Sequence, residues 1–125
     1  MSLKLKVIAA ISFFLFICWI IFEANMNHGL AVFNWVKAVP YGDKVGHFTL
    51  YGGLAYLANS AFGFRFLWSR SIQIGSVLVL SFAIGEEITQ IWLKNRTFDY
   101  FDLLFDLIGI VVFTVLSLLL KAKSE

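Results

Sequence analysis

Charge is what this sequence has least of. Only 14% of its 125 residues are Asp, Glu, Lys or Arg, against roughly a quarter in a soluble domain. Ten basic and eight acidic residues leave a formal net charge of +2 with no basic stripe, which excludes a nucleic-acid binder. The single cysteine, Cys18, excludes a disulfide framework within one chain and a zinc ribbon, which needs four soft ligands. Proline occurs once, at Pro40, so long helices run unbroken elsewhere. In place of charge stand 60% hydrophobic and 18% aromatic residues, and a mean hydropathy of +0.83. This composition belongs in a bilayer.

Hydropathy predicts an all-α membrane protein, a bundle of four transmembrane helices forming one domain over residues 1–125. The spans are expected at about 5–24, 45–64, 71–93 and 100–120, each near the ~20 residues that cross a hydrocarbon core. A signal peptide competes for the first stretch, since Lys4 and Lys6 precede the apolar run, but Phe22-Glu23-Ala24-Asn25 is no small-x-small cleavage site. Cys18 reads as an inert lipid-facing or core thiol. Between spans one and two, Leu30, Phe33, Val36 and Val39 mark one apolar face with Trp35 beside it, the pattern of a short amphipathic helix in the headgroup region. Pro40 and Gly42 end it.

Orientation follows from basic residues near the span ends. A cytoplasmic N-terminus places Lys4, Lys6, Arg65, Arg70, Lys121 and Lys123 inside, and Lys37, Lys44, Lys94 and Arg96 outside. Both termini are then cytoplasmic in a multi-pass protein of the cell membrane. Trp68 and Trp92 fit aromatic belts at opposite interfaces. Every acid except Glu125 falls in the outer half.

At about 1.5 Å per helical residue, polar groups from three helices reach two shared levels. Tyr51, Glu86, Glu87 and Asp106 lie about 21 to 24 Å above the inner ends, and His47, Gln90 and Asp102 about 27 to 28 Å. Offsets of three and four residues put Lys44, His47 and Tyr51 on one face, as they do Asp99, Asp102 and Asp106. Glu87 and Gln90 share a face, and so do Glu86 and Gln90. One of the adjacent Glu86 and Glu87 is expected to face differently from the other, and spacing alone leaves open which is inward. The three faces point to a shared outer-leaflet cavity. Buried carboxylates this close pair with Lys44 and Arg96, share protons or hold a cation. Plainer roles exist for several: Asp43, Thr97 and Asp99 as helix caps, Lys44, Lys94 and Arg96 as snorkelling cations, Tyr51 as a belt aromatic, and Gln90 as an interhelical hydrogen bond. Glu87 and Asp106 resist them most, because acids inside a membrane are functional candidates by default.

In order along the chain stand Asp43-Lys44-x-x-His47-Phe48-x-x-Tyr51, then Glu87-x-x-Gln90, then Arg96-x-x-Asp99-x-x-Asp102, and Asp106-x-x-Gly109. This arrangement resembles the VanZ-like family of small membrane proteins over roughly Asp43 to Gly109. The family pattern matches Lys44, His47, Tyr51, Glu87, Gln90, Arg96, Asp99 and Asp102, and favours Glu87 as the inward acid. Two positions depart from it: the family usually has asparagine where Asp106 stands, and a second glycine is replaced around Phe113. The resemblance implies a cell-envelope protein associated with reduced sensitivity to teicoplanin and related lipid-anchored glycopeptides.

Physically, an acid-lined cavity with basic residues at its mouth suits the polar head of a membrane lipid or lipid-linked cell-wall precursor. Lys44 and Arg96 would hold phosphate, and His47 with Glu87 or Asp102 would orient the head or shuttle a proton. Three readings compete. In an enzyme, His47 is general acid or base, with Glu87 and Asp102 as its carboxylate partners, and Glu87, Asp99 and Asp102 hold a divalent metal such as magnesium, manganese or calcium; outside that reading no cofactor is expected. In a proton-coupled transporter, Glu87 or Asp106 titrates, and the chain's size permits an oligomer. In a purely structural bundle the cluster only braces helices.

Overall fold

The computed structural model describes residues 1–26, 31–69, 72–93, 96 and 98–124. Five α-helices account for most of them: α1 (Leu3–Met26), α2 (Ala31–Ala38), α3 (Gly42–Ala61), α4 (Ile74–Thr89) and α5 (Tyr100–Ser124). A 3₁₀ turn, Gln90–Trp92, continues α4. Leu30, Arg70, Ser71, Lys94, Thr97 and Glu125, which entered the readings of helix faces, caps and orientation, lie outside the described residues, as do the side chains of Trp68 and Lys123.

Three helices are long and apolar enough to cross a membrane: Leu3–Met26, Ile74–Trp92 and Tyr100–Lys121. The expected second span falls on α3, which has the length, 20 residues, but carries Asp43, Lys44, His47, Asn59 and Ser60. Its position accounts for this composition. α3 packs on α5, α4 and α1, so its polar side chains meet other helices. It runs parallel to α5, with Lys44 beside Asp102 and His47 beside Asp106, and antiparallel to α4, with Asn59 bonded to Ser76.

The all-α expectation needs one correction. Phe66–Ser69 (β1) and Ile72–Gln73 (β2) pair as an irregular antiparallel ribbon between α3 and α4. α4 accordingly starts at Ile74, not near residue 71. Gly63 and Phe64, both at positive φ, turn the chain out of α3, and the aromatic, β-prone Phe66-Leu67-Trp68 run then takes the extended form.

The molecule is apolar outside and polar within. Ile8, Ile11, Leu15, Phe16 and Trp19 of α1 are exposed, as are Val111, Val115 and Leu119 of α5. Among the described residues, the largest fully buried side chains are Ile17, Gln73, Gln90, Glu87, Asn59, Asp106 and Ser117, all but the first polar. A water-soluble bundle arranges these the other way round; a lipid-facing surface has no need to hide leucine and every need to hide amides and acids. The short helix α2 half-buries the expected Phe33 and Val36 against α3, while Trp35 and Val39 stay exposed. Cys18 is a free thiol, half-buried.

Close packing of α3 on α5 rests on two glycines. A Cβ at Gly109 would run into the Phe48 backbone carbonyl, and one at Gly52 into the Phe113 ring and the Gly109 carbonyl. Small residues let helix backbones approach where lipid supplies no hydrophobic drive. Buried Asp106, Ile110, Thr114 and Ser117 follow at three- and four-residue intervals on the same face of α5. Gly109→Leu should therefore cost more than the ~1–3 kcal/mol of ordinary overpacking, because backbone rather than a side chain is in the way. Thermal unfolding in detergent should show a large fall in Tm for it. Gly46→Ala, whose new methyl meets nothing, should match or slightly exceed the wild type.

Candidate functional site: two acidic groups at one end of the bundle

The ends of α1 and α4 and the starts of α3 and α5 converge, and the polar residues anticipated from spacing collect there. They form two groups one helical turn apart.

The outer group is built on Lys44. Its Nζ lies 2.6 Å from Asp102 Oδ1, 2.7 Å from Asp99 Oδ2 and 3.0 Å from Asp43 Oδ2, and donates to all three. One ammonium has three donors, and here each meets a carboxylate. Asp99 uses its other oxygen to accept the Phe101 backbone N–H at 2.8 Å, which is the cap expected of it. Asp43 lies in the first turn of α3, and its side-chain partner is Lys44. A phosphate at Lys44 would have to displace these carboxylates.

The inner group joins three helices. His47 Nδ1 of α3 shares a hydrogen bond with Asp106 Oδ1 of α5 at 2.7 Å, while its Nε2 lies 3.6 Å from Asp102 Oδ2. Glu87 of α4 completes the group: His47, Glu87 and Asp106 each offer one ligand atom within 4.8 Å of the others. Glu87 and Asp106 are fully buried. Tyr51 stacks on His47 with ring centroids 6.0 Å apart. Among the described residues, Tyr51 Oη, Glu86 Oε2, Glu87 Oε2 and Asp106 Oδ2 are buried with no hydrogen-bond partner.

The adjacent glutamates face differently, as expected, yet Glu86 is inside as well as Glu87, the one the family pattern favours. Glu87 turns to His47 and Asp106. Glu86 accepts from Gln90 Nε2 at 2.8 Å and lies 3.8 Å from Arg96 Nη2, and Arg96 is itself held by Asn25 of α1 at 2.8 Å. Neighbouring positions on a helix are 100° apart; with α1 closing one side and α3 with α5 the other, both directions are interior. Gln90 reaches Glu86 and, at 3.4 Å, Glu87, so among the described residues its side-chain bonds lie along its own chain segment. The metal set anticipated as Glu87, Asp99 and Asp102 is divided between the two groups.

All nine anticipated residues, Lys44, His47, Tyr51, Glu87, Gln90, Arg96, Asp99, Asp102 and Asp106, thus lie at this end. Spacing missed Glu86 as a second inward acid, and Asn25. It also missed a polar brace in the other half, where Asn59 bonds both the Oγ and the backbone N–H of Ser76 and Ser76 meets Thr114. Nothing local marks these residues: a serine or asparagine in an apolar run reads the same whether its helix face is inward or outward. The expected open cavity takes another form. The polar groups close on one another, and an apolar cleft of about 450 Å³ lies between α1, α3 and α4, lined by Phe14, Leu54, Ala58 and Phe82 among others. Phe82 links the two, its ring 6.1 Å from that of Tyr51. Searches of family models, curated proteins and solved structures return no match to the chain.

Removing the Lys44 ammonium leaves three carboxylates facing one another. Lys44→Met should destabilise the protein by about 3 kcal/mol, read as a fall in Tm that high salt partly restores. The hydrogen bond from Lys44 also holds the Asp99 carboxyl below its ordinary value. Its stabilising contribution is therefore complete above the ordinary aspartate value and is lost as pH falls through the lowered one. Asp99→Asn should lower Tm at neutral pH, and the gap to wild type should close in acid.

Proposed function

We propose that this chain is a VanZ-like membrane protein of the cell envelope that binds the polar head of a membrane lipid or lipid-linked wall precursor at its acidic end, and thereby lowers sensitivity to lipoglycopeptide antibiotics. The observation that carries this reading is the set of buried, unpartnered oxygens on Tyr51, Glu86, Glu87 and Asp106. Buried polar atoms are nearly always satisfied, and a head group rich in hydroxyl or amine donors matches a set made mostly of acceptors. Arg96, engaging Glu86 only at 3.8 Å, is the cation available to a phosphate. The apolar cleft that reaches Phe82 below Tyr51 offers a bed for a chain attached to that head.

In this reading α3 is a fourth crossing, shielded from lipid by α1, α4 and α5. Both termini are cytoplasmic, with Lys4, Lys6, Arg65 and Lys121 at the end opposite the acids, and the acidic end faces outward. A second reading is favoured by one contact. An imidazole oriented by a buried aspartate, as His47 is by Asp106 at 2.7 Å, is the arrangement of a general base, and would make the protein an enzyme acting on the same head group.

Native mass spectrometry with lipidomics on gently purified protein distinguishes these readings. A defined phospholipid or polyprenyl-phosphate species should be retained by the wild type and lost in the double variant His47→Ala, Glu87→Gln, and Arg96→Glu should weaken its retention. The same mixed lipid in all three would overturn the proposal. Conversion of the retained lipid by wild type but not by His47→Ala would establish the enzymatic reading.

A further inference from the structure

Each acidic group sets three carboxylates against one cation, and the two differ in burial: Asp43 and Asp99 of the outer group reach solvent, whereas Glu86, Glu87 and Asp106 of the inner group are buried. In the outer group, the Lys44 ammonium sits among Asp43, Asp99 and Asp102 at 2.6 to 3.0 Å, so the chain supplies its own cation. The inner group has Glu86, Glu87 and Asp106 packed at one level. Arg96 answers Glu86. Glu87 and Asp106, both fully buried, are left facing a single imidazole. Each keeps one carboxylate oxygen, Glu87 Oε2 and Asp106 Oδ2, without a hydrogen bond among the described residues. Two uncompensated carboxylates inside a bilayer-embedded bundle are costly.

A divalent cation removes that imbalance. With His47 neutral, one dipositive ion cancels Glu87 and Asp106, taking one carboxylate oxygen from each and the ring nitrogen that carries no proton. The geometry is close to what this needs. The three ligand atoms lie within 4.8 Å of one another, and metal–ligand bonds of about 2.0 to 2.2 Å place ligands roughly 3 to 4.4 Å apart, so small side-chain shifts suffice, including the opening of the 2.7 Å contact between His47 and Asp106. The outer group has a similar clustering of acids, but Lys44 already occupies its centre.

We propose that His47, Glu87 and Asp106 form a binding site for a divalent first-row transition-metal ion. The imidazole nitrogen beside two carboxylates selects ions of intermediate hardness, such as manganese, iron or zinc, over magnesium and calcium, which take oxygen alone. α3, α4 and α5 each give one ligand, so the ion also ties the three helices at this end. Its ligands come wholly from the chain, and because Glu87 and Asp106 also belong to the set that the head-group reading uses, a lipid head would meet Tyr51, Glu86 and the bound ion.

The test is Mn²⁺ binding to the detergent-purified, metal-stripped full chain, followed by electron paramagnetic resonance and by Tm. The wild type should bind about one Mn²⁺ per chain, with Tm rising as the ion is added. Glu87→Gln and Asp106→Asn, which keep side-chain shape, should each weaken binding about tenfold or more, while Asp43→Asn in the outer group should not. Pulsed spectra of the wild type alone should show the nitrogen coupling of a directly bound imidazole, a readout that does not depend on any variant folding. No binding by the wild type, absence of the nitrogen coupling, or equal loss in Asp43→Asn would each overturn the proposal.

Discussion

The approach of α3 to α5 at Gly52 and Gly109 brings the backbones close enough for short side chains to meet, and the polar contacts at one end of the molecule depend on it. His47 precedes Phe48, whose carbonyl lies against Gly109, by one residue, and Asp106 precedes Gly109 by three. The register that seats the glycine therefore also seats the imidazole on the carboxylate, and one turn earlier it seats Lys44 on Asp102. A wider crossing would leave carboxylates in a low-dielectric interior without hydrogen bonds, at a cost of several kcal/mol each. Packing and electrostatics thus favour the same register.

That contact also accounts for the composition of α3. A helix enclosed by three others need not be apolar, because its neighbours form the lipid-facing surface. Its amides, hydroxyls and charges become the means by which helices are held together: Lys44 and His47 at one end, Asn59 with Ser76 and Thr114 at the other. Between them Tyr51, Leu54 and Ala55 pack with Ile17, Val79, Ala83 and Ile110 in a small apolar layer. Polar clasps above and below an apolar middle give the bundle a defined register, which uniform apolar faces would leave free to slide.

Burial divides the acidic end into two parts with different characters. The outer carboxylates surround a lysine, and two of them, Asp43 and Asp99, reach solvent, which screens the charge the lysine leaves over. The inner carboxylates have only an imidazole and a more distant arginine, and retain free oxygens beneath it. The lipid-head and metal-site proposals both draw on that second group, because acceptors without donors are what the described residues leave there.

The chain's residues determined the composition of its surface and the address of its polar residues. Long apolar runs placed α1, α4 and α5 to within a few residues, and offsets of three and four placed Lys44, His47, Asp102 and Asp106 on inward faces, since helical rise and turn are local properties. The two-stranded ribbon after α3 escaped that reading because a short aromatic run has no distinguishing period. The inward placement of both Glu86 and Glu87, the use of Lys44 on three aspartates, the hold of Asn25 on Arg96, and the closure of the polar groups on one another were decided by tertiary structure. Each depends on which helix lies beside which and at what rotation. That is set by glycine contacts and charge balance among residues more than fifty positions apart, beyond the reach of any local pattern.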